Sequence, residues 1–182
     1  MLSFTKRRRA LARPSGPRPG DILLFCHARG LSRLIPWFTK SRYYHCGLYE
    51  GDGRVLEARP NGVVRRDISQ DPKMIFRVIP MPDDNATPAL DWAREQLGSK
   101  YDVFDVLVII VRTYFPRLHV PHTGRKSFFC SEIPVKGWRR AGLDLFPDRV
   151  AEELIPGDFE RFLPPDSRDE TLYRQRKAAS DL

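Results

Sequence analysis

Five segments in the first half of the chain have the apolar and polar patterning of β-strands. They are residues 22–26, 43–50, 54–59, 63–64 and 74–80. The run from Ile22 to Cys26 is apolar throughout, which favours burial on both faces. Between the second and third segments, Gly51-Asp52-Gly53 is a hairpin signal, because glycine accepts the positive φ angles of a tight turn. Several antiparallel strands in succession predict one meandering sheet.

Helical signals dominate the second half of the chain. Thr87-Pro88 is a typical helix start, with an N-cap residue before a proline, and Gly98 is a typical stop. Residues 101–115 are strongly apolar and predict a second helix, and a third helix passes through Trp138 and stops at Gly142. Strands followed by helices predict an α+β fold in which the sheet packs against helices.

The composition is that of one globular domain with flanking tails. The chain has 182 residues, of which 41% are hydrophobic and 30% charged, which is enough to bury a core. No stretch reaches the roughly 20 apolar residues that a membrane-spanning helix needs. We predict a domain over residues 19–163, a basic flexible arm over 1–18 and a charged, mobile tail over 164–182. Three scattered cysteines are too few for a disulfide framework and indicate reduced thiols.

The net charge of +8 is concentrated in the arm. Residues 1–20 contain six basic residues and no acidic one, which leaves +2 for the other 162 residues. The arm suits either contact with an anionic surface, such as a membrane or nucleic acid, or a solvated, disordered end. It lacks the continuous apolar segment of a secretory signal. We therefore expect a cytoplasmic protein, with peripheral membrane association as an alternative.

Cys130 is the candidate nucleophile. It follows two aromatic residues and precedes the predicted third helix, so it is expected at a helix N-terminus. A helix N-terminus carries partial positive charge and unpaired N–H groups, which together stabilise a thiolate and the oxyanion of an acyl intermediate. The alternative is a buried structural cysteine, because free cysteine is among the most buried residue types.

His45 and Glu57 are the candidate base and its orienting group. If the hairpin loop has an odd number of residues centred on Asp52, opposed positions sum to 104, and Glu57 faces Gly47. Glu57 then lies diagonal to His45 on one face of the sheet, about 7–8 Å away between Cα atoms, within reach of a hydrogen bond. A loop with an even number of residues would turn Glu57 to the other face.

His119 and His122 are competing candidates closer in sequence to Cys130. Either is an alternative base, and the three residues together resemble part of a zinc site. The segment lacks a clear fourth ligand, and its spacing matches no common zinc pattern. We therefore predict no metal and no cofactor, and interpret both histidines as solvated loop residues.

Several short motifs occur in the order found in one known family. They are residues 20–25 (GDILLF), 41–50 (SRYYHCGLYE), Glu57, 98–102 (GSKYD) and 129–132 (FCSE). Over about residues 19–160 the chain resembles the circularly permuted papain-like cysteine hydrolases, the permuted NlpC-like group related to lecithin:retinol acyltransferase. A strand histidine followed by glycine, with the cysteine last at a helix start, is the signature of the permutation.

The resemblance implies a permuted papain-like fold and a role for each residue of the triad. Cys130 would be the nucleophile, His45 the general base and acid, and Glu57 the group that orients His45. The chain departs from the family at Ile133-Pro134, where relatives have two aliphatic residues. A proline is tolerated there only if it falls within the first helical turn.

The candidate oxyanion and substrate-binding groups are less sharply defined. The backbone N–H of Cys130 is the first candidate and Tyr44 the second, with Ser131 and Trp37 as further substrate contacts. The resemblance implies cleavage of an amide or ester, as in a cell-wall hydrolase acting on peptidoglycan-type peptides, an amidase or a lipid esterase. The alternatives are a lipid acyltransferase or phospholipase at a membrane surface, and a binding module without turnover.

Overall fold

The computed structural model describes residues 16–26, 41–82, 85–101, 127–167 and 169–170. A five-stranded antiparallel sheet lies at the centre of this part of the chain. Its strands are β1 (Ile22–Cys26), β2 (Tyr43–Gly51), β3 (Arg54–Arg59), β4 (Gly62–Asp67) and β5 (Ile75–Ile79). They are arranged in the order β4-β3-β2-β1-β5. The predicted α+β class and the antiparallel sheet are confirmed, and β1 to β4 form the predicted meander. β5 departs from it, because it pairs with β1 at the other edge and not with β4.

The hairpin between β2 and β3 sets the register of the sheet. Leu48 pairs with Leu56 and Tyr49 with Val55, so opposed positions sum to 104, as the odd loop predicts. The register shifts between Tyr49 and Gly51, and Asp52 and the flanking glycines have positive φ angles. The glycines accept this conformation without steric cost. The turn thereby determines which β2 and β3 side chains share a face.

The two faces of the sheet carry separate apolar clusters. The larger cluster includes Leu24, Cys46 and Leu56 and packs against the helices. The smaller cluster, on the opposite face, is built around Leu23, Phe25 and other residues that alternate with the first set. Alternation of side chains along each strand separates the two clusters.

Two helices pack on the face of the larger cluster. They are α1 (Ala86–Glu95) and α2 (Glu132–Arg140), and the neighbouring elements are β6 (Lys100–Tyr101), β7 (Ser127–Phe128) and two 3-10 helices, Ala151–Glu153 and Pro156–Phe162. β6 and β7 pair in parallel. The prediction of a helix beginning at Tyr101 is wrong at that residue, because Tyr101 pairs with Phe128 in this small sheet. Residues 102–115 of that predicted helix lie outside the described residues.

The predicted helix after residue 87 is confirmed as α1, with a different start. Its N-cap position is Asn85 and its first residue is Ala86, so Thr87 lies inside the helix rather than capping it. The Asn85 side chain donates a hydrogen bond to the Ala141 carbonyl at the end of α2 instead of capping its own helix. Tertiary contact with α2 therefore sets the start of α1.

α1 and α2 approach closely and hold α2 against the start of β1. A Cβ at Gly137 would lie 3.0 Å from the carbonyl oxygen of Ala89, so glycine permits the approach. Trp138 is fully buried, and its indole N–H donates a 3.0 Å hydrogen bond to the Gly20 carbonyl. These contacts fix the position of the α2 N-terminus relative to the sheet.

Part of the predicted C-terminal tail contacts the edge of the sheet. Glu170 forms an antiparallel bridge with Phe76 of β5, and the Asp169 carboxylate accepts hydrogen bonds from Arg42 and Arg77. The rest of the tail after residue 170, and the arm up to residue 15, lie outside the described residues. Within the described ranges, no helix combines the length and apolar character needed to cross a membrane.

Candidate active site

Cys130 lies at the start of α2, as predicted. Ser131 occupies the N-cap position and Glu132 is the first helical residue, so the cysteine precedes the cap by one position. Pro134 is the third residue of the helix and falls within the first turn, where the missing N–H costs no intrahelical bond. The departure from the family pattern at Ile133-Pro134 is thus compatible with the helix.

Buried polar contacts fix the segment that carries Cys130. One Glu132 carboxylate oxygen accepts a 2.7 Å hydrogen bond from the Phe129 backbone N–H, and the other accepts a 2.6 Å bond from Lys136. The Ser131 hydroxyl donates to the Leu154 carbonyl. Bonds on both sides of Cys130 restrict its backbone, which a nucleophile at a defined position requires.

His45 and Glu57 lie in contact, as the predicted register requires. The Nε2 atom of His45 and the Oε2 atom of Glu57 are 2.9 Å apart. Glu57 is fully buried, while the His45 side chain is 13% exposed. Gly47 faces this pair, and a Cβ there would lie 3.2 Å from the Glu57 Cβ and 2.5 Å from a Val55 methyl group. Glycine at this position permits β3 to lie close enough for the contact.

Cys130 and His45 lie close enough for each to shift the pKa of the other. Because Nε2 of His45 is engaged by Glu57, the ring nitrogen that remains for the sulfur is Nδ1. Cys130 belongs to the larger apolar cluster, whereas the His45 ring packs at 5.6 Å from the Phe25 ring of the smaller one.

The charges of this cluster favour a thiolate beside an imidazolium. Burial alone would raise the pKa of Cys130, but hydrogen bonds from Cys46 and His45 and the charge on His45 lower that pKa to about 5. Burial would likewise lower the pKa of His45, but the Glu57 carboxylate and Cys130 raise it to about 9. At neutral pH the sulfur is therefore ionised and the ring protonated.

Cys46 is a contact of Cys130 that the sequence analysis missed. Its thiol and its backbone N–H lie close enough to the Cys130 sulfur to help lower the Cys130 pKa. Burial raises the pKa of Cys46 well above its usual range, so Cys46 keeps its proton and donates it. Side-chain alternation next to His45 was the available signal, because it places Cys46 on the helix-facing side of β2.

Arg66 was also missed, and it contacts the carboxylate that orients His45. Its guanidinium donates to both oxygens of Glu57, and Arg59 donates a further 3.2 Å bond to Oε1. Burial opposes ionisation of Glu57, but His45 and Arg66 lower the Glu57 pKa far below its usual range. The Asn61-Gly62 turn was the available signal, because it pairs Arg66 with Val55, diagonal to Glu57.

The three predicted oxyanion and substrate contacts have different positions. The Tyr44 ring stacks on His45 with centroids 6.1 Å apart, and burial raises the Tyr44 pKa, so its phenol remains a proton donor. The Ser131 side chain is fully buried and donates to Leu154, so its hydroxyl proton is engaged within the protein. Trp37 lies outside the described residues.

Access to the sulfur is restricted. Cys130 is only 2% exposed. The other two thiols are chemically distinct from it, since burial raises the pKa of Cys26 to about 11 and raises that of Cys46 well above its usual range. Cys130 is thus the one cysteine of the three whose environment favours the thiolate.

The described residues do not test the two competing histidines or the zinc site that they would form with Cys130. His119 and His122 lie outside the described residues. Among the residues that the structure describes, no group of three or more His, Cys, Asp or Glu side chains is arranged to hold a metal ion.

No protein-family model matches the chain, and no curated protein matches it.

Proposed function

We propose that this protein is a thiol hydrolase that cleaves an amide or ester through a thioester on Cys130. The observation that carries the proposal is the chain of contacts from the Cys130 thiol through His45 to the buried carboxylate of Glu57. Such chemistry needs a nucleophile, a base and a group that orients the base. The order of His45 before Cys130, and a cysteine at a helix start, also support the permuted papain-like fold.

The proposed reaction uses each group at a stated atom. The Cys130 thiolate attacks the carbonyl carbon, and the carbonyl π electrons move to oxygen to form an oxyanion. The oxyanion collapses, the His45 imidazolium protonates the leaving amine or alcohol, and a thioester remains on Sγ. Neutral His45 then accepts a proton from water as the water attacks the thioester, which releases the acid and restores the Cys130 thiolate. The Cys130 backbone N–H and the Tyr44 phenol are the proposed oxyanion donors.

A thiol-directed acyl probe tests the nucleophile. We expect labelling at Cys130 and none at Cys26 or Cys46, whose raised pKa values keep them protonated at neutral pH. His45→Ala should abolish labelling while circular dichroism shows an unchanged fold. His119→Ala is the matched control, because His119 is the competing base. Loss of labelling in the control but not in His45→Ala would contradict the proposed triad.

A second experiment separates the substrate classes. The protein is incubated with muropeptides, with simple amides and with phospholipid vesicles, and mass spectrometry identifies which bond is cleaved. Cleavage of muropeptides supports a cell-wall hydrolase, and release or transfer of fatty acid supports the lipid enzyme. Binding to one of these ligands without cleavage, together with an unlabelled Cys130, would contradict the hydrolase and indicate a binding module.

A further inference from the structure

Glu57 is the shared acceptor of three cationic side chains. His45 and Arg66 both bond to Oε2, at 2.9 Å and 3.0 Å, and Arg59 bonds to Oε1 at 3.2 Å. The Nε atom of Arg66 donates a further bond to Oε1, so its guanidinium holds both oxygens in a fork. Such bidentate pairing fixes the plane of the carboxylate as well as its position.

The two arginines differ in how they hold Glu57. The Arg66 side chain is half as exposed as that of Arg59, 20% against 42%, and only Arg66 contacts both oxygens. The Arg66 guanidinium also stacks 5.1 Å from the centroid of the Phe25 ring, and Phe25 in turn packs against His45. Arg66 is therefore held by contacts with both Glu57 and Phe25. The bond from Arg59 to Glu57 is partly exposed to solvent, which screens it.

We infer that Arg66 is a positioning residue that holds the Glu57 carboxylate against His45 and limits the basicity of His45. The inference depends on the proposed function, since it concerns the same base. Glu57 alone would strongly favour the imidazolium. Because Arg66 and His45 bond to the same oxygen, the guanidinium offsets part of that attraction and repels the ring proton. The base can then release its proton more readily during turnover.

Several charged or titratable groups surround His45 besides Arg66. The described ones are Glu57 and Arg59 on β3, Cys130 at the start of α2, and Tyr44 and Cys46 on β2 itself. Tyr44 and Cys46 remain neutral near pH 7, since burial raises both pKa values. Arg66 is the cation among them that shares an oxygen of Glu57 with the ring.

The sign of the effect follows from this charge balance. Replacing Arg66 by a neutral residue removes a positive charge near the ring and leaves the buried carboxylate in place. The imidazolium becomes more stable, so its deprotonation moves to higher pH. A like charge close to a titratable group shifts the pKa of that group by about one unit. Loss of the fork also frees the carboxylate to rotate, which lowers turnover.

Three variants test the inference. Arg66→Gln removes the charge and the fork, Arg66→Lys keeps the charge without the fork, and Arg59→Gln is the matched control at the more exposed arginine. The His45 ring is titrated by NMR in each variant, with His45→Ala used to assign its signal. This measurement needs neither a substrate nor turnover, so it distinguishes failure of the inference from failure of the proposed function.

We expect Arg66→Gln to shift the His45 titration upward by about one pH unit, and Arg59→Gln to shift it by less than about 0.3 unit. Arg66→Lys should leave the titration within about 0.3 unit of the wild type while hydrolysis of any cleaved substrate slows about tenfold or more. A folded Arg66→Gln protein with an unchanged His45 titration would overturn the inference. If Arg66→Gln does not fold, wild-type turnover in Arg66→Lys overturns the positioning role.

Discussion

At the scale of single residues, the ionisation of Cys130 depends on a neighbour whose own thiol stays protonated. The backbone N–H and the thiol of Cys46 both help to lower the Cys130 pKa, and substitution removes only the thiol. We predict that Cys46→Ala raises the Cys130 pKa, because the thiolate loses a donor in a buried site.

Iodoacetamide alkylation at pH 6 measures this change. Wild-type Cys130 should react faster than Cys46→Ala by about three- to tenfold, and the two rates should converge above pH 9. Cys26→Ala is the matched control, because the Cys26 thiol bonds to the Ile75 carbonyl and to Asp169, so its removal should leave the rate unchanged. Equal alkylation of all three proteins at pH 6 would mean that the Cys46 thiol does not stabilise the thiolate.

Two residues, Cys130 and His45, define the pH range of the proposed activity. The Cys130 pKa is lowered to about 5, so the thiolate is lost as pH falls through that value. The His45 pKa is raised to about 9, so the imidazolium that protonates the leaving group is lost as pH rises through that value. We therefore predict a bell-shaped dependence of kcat/KM on pH, with apparent limits that belong to the pair.

The acylation rate of Cys130 by an unactivated amide or alkyl ester, whose leaving group needs a proton, measures both limits when it is followed from pH 4 to pH 10. The acid limit reflects loss of the Cys130 thiolate. It should therefore disappear with a probe that also reacts with the protonated thiol. The alkaline limit is the sharper test of His45. A rate that continues to rise above pH 9 would indicate that an ordinary thiol with a neutral histidine carries the reaction, and would contradict the ion pair.

At the scale of secondary structure elements, the fit between β2 and β3 places Glu57. Gly47 faces β3 without a side chain, and a Cβ there would come within 2.5 Å of a Val55 methyl group and 3.2 Å of the Glu57 Cβ. We predict that Gly47→Ala lowers the free energy of unfolding by about 1–3 kcal/mol and displaces Glu57 from His45.

Urea unfolding and the acyl probe separate the two effects of Gly47→Ala. Val55→Ala removes the methyl group nearest to the added carbon, so the double variant Gly47→Ala/Val55→Ala should regain part of the stability that the single variant loses. Additive losses of stability in the two single variants would show that the clash with Val55 is not the cause. Labelling should recover with stability only if Glu57 returns to its place.

The hairpin also shows what sequence patterns determine at this scale. The Gly51-Asp52-Gly53 turn predicted the hairpin but left two registers open, and the structure has the odd-loop register that brings Glu57 to His45. The start of α1 was predicted two residues too late, because the Asn85 side chain bonds to Ala141 of another helix. Local signals determine local pairing, whereas an element boundary set by a distant partner has no signature in its own residues.

At the scale of the whole molecule, the candidate site joins elements that are far apart in the chain. Strand patterning and one turn predicted the pairing of His45 with Glu57. The prediction that Cys130 lies beside them came from the family resemblance, because no local pattern links Cys130 to the hairpin. Cys46 and Arg66 were missed for a related reason. Each acts through a neighbour's side chain, Cys46 on the Cys130 sulfur and Arg66 on the Glu57 carboxylate, and such contacts appear only when layers pack.

The buried carboxylate at the centre of this assembly should also make the stability of the fold depend on pH. Glu57 is fully buried among cations that hold its pKa far below the usual range. A lowered folded-state pKa contributes stability that is present above the unfolded value, near 4.5, and is lost as pH falls below it. Glu57→Gln removes this contribution and leaves Arg66 and His45 without their shared acceptor.

We therefore predict that Glu57→Gln destabilises the protein by about 3–5 kcal/mol at pH 7 and by less at pH 3. At pH 3 the unfolded wild-type chain gains a proton on Glu57 that the folded chain does not, so the difference shrinks by on the order of 2 kcal/mol. Chemical unfolding of both proteins at the two pH values measures it. Glu50→Gln is the matched control: the Glu50 pKa is also lowered, although burial opposes the shift, by bonds from Arg65 and Arg94, whose side chains are 40% and 39% exposed. Its effect should be smaller at both pH values, because solvent screens those pairs. Equal losses in the two variants would mean that the triad carboxylate is no more important to the fold than a surface ion pair.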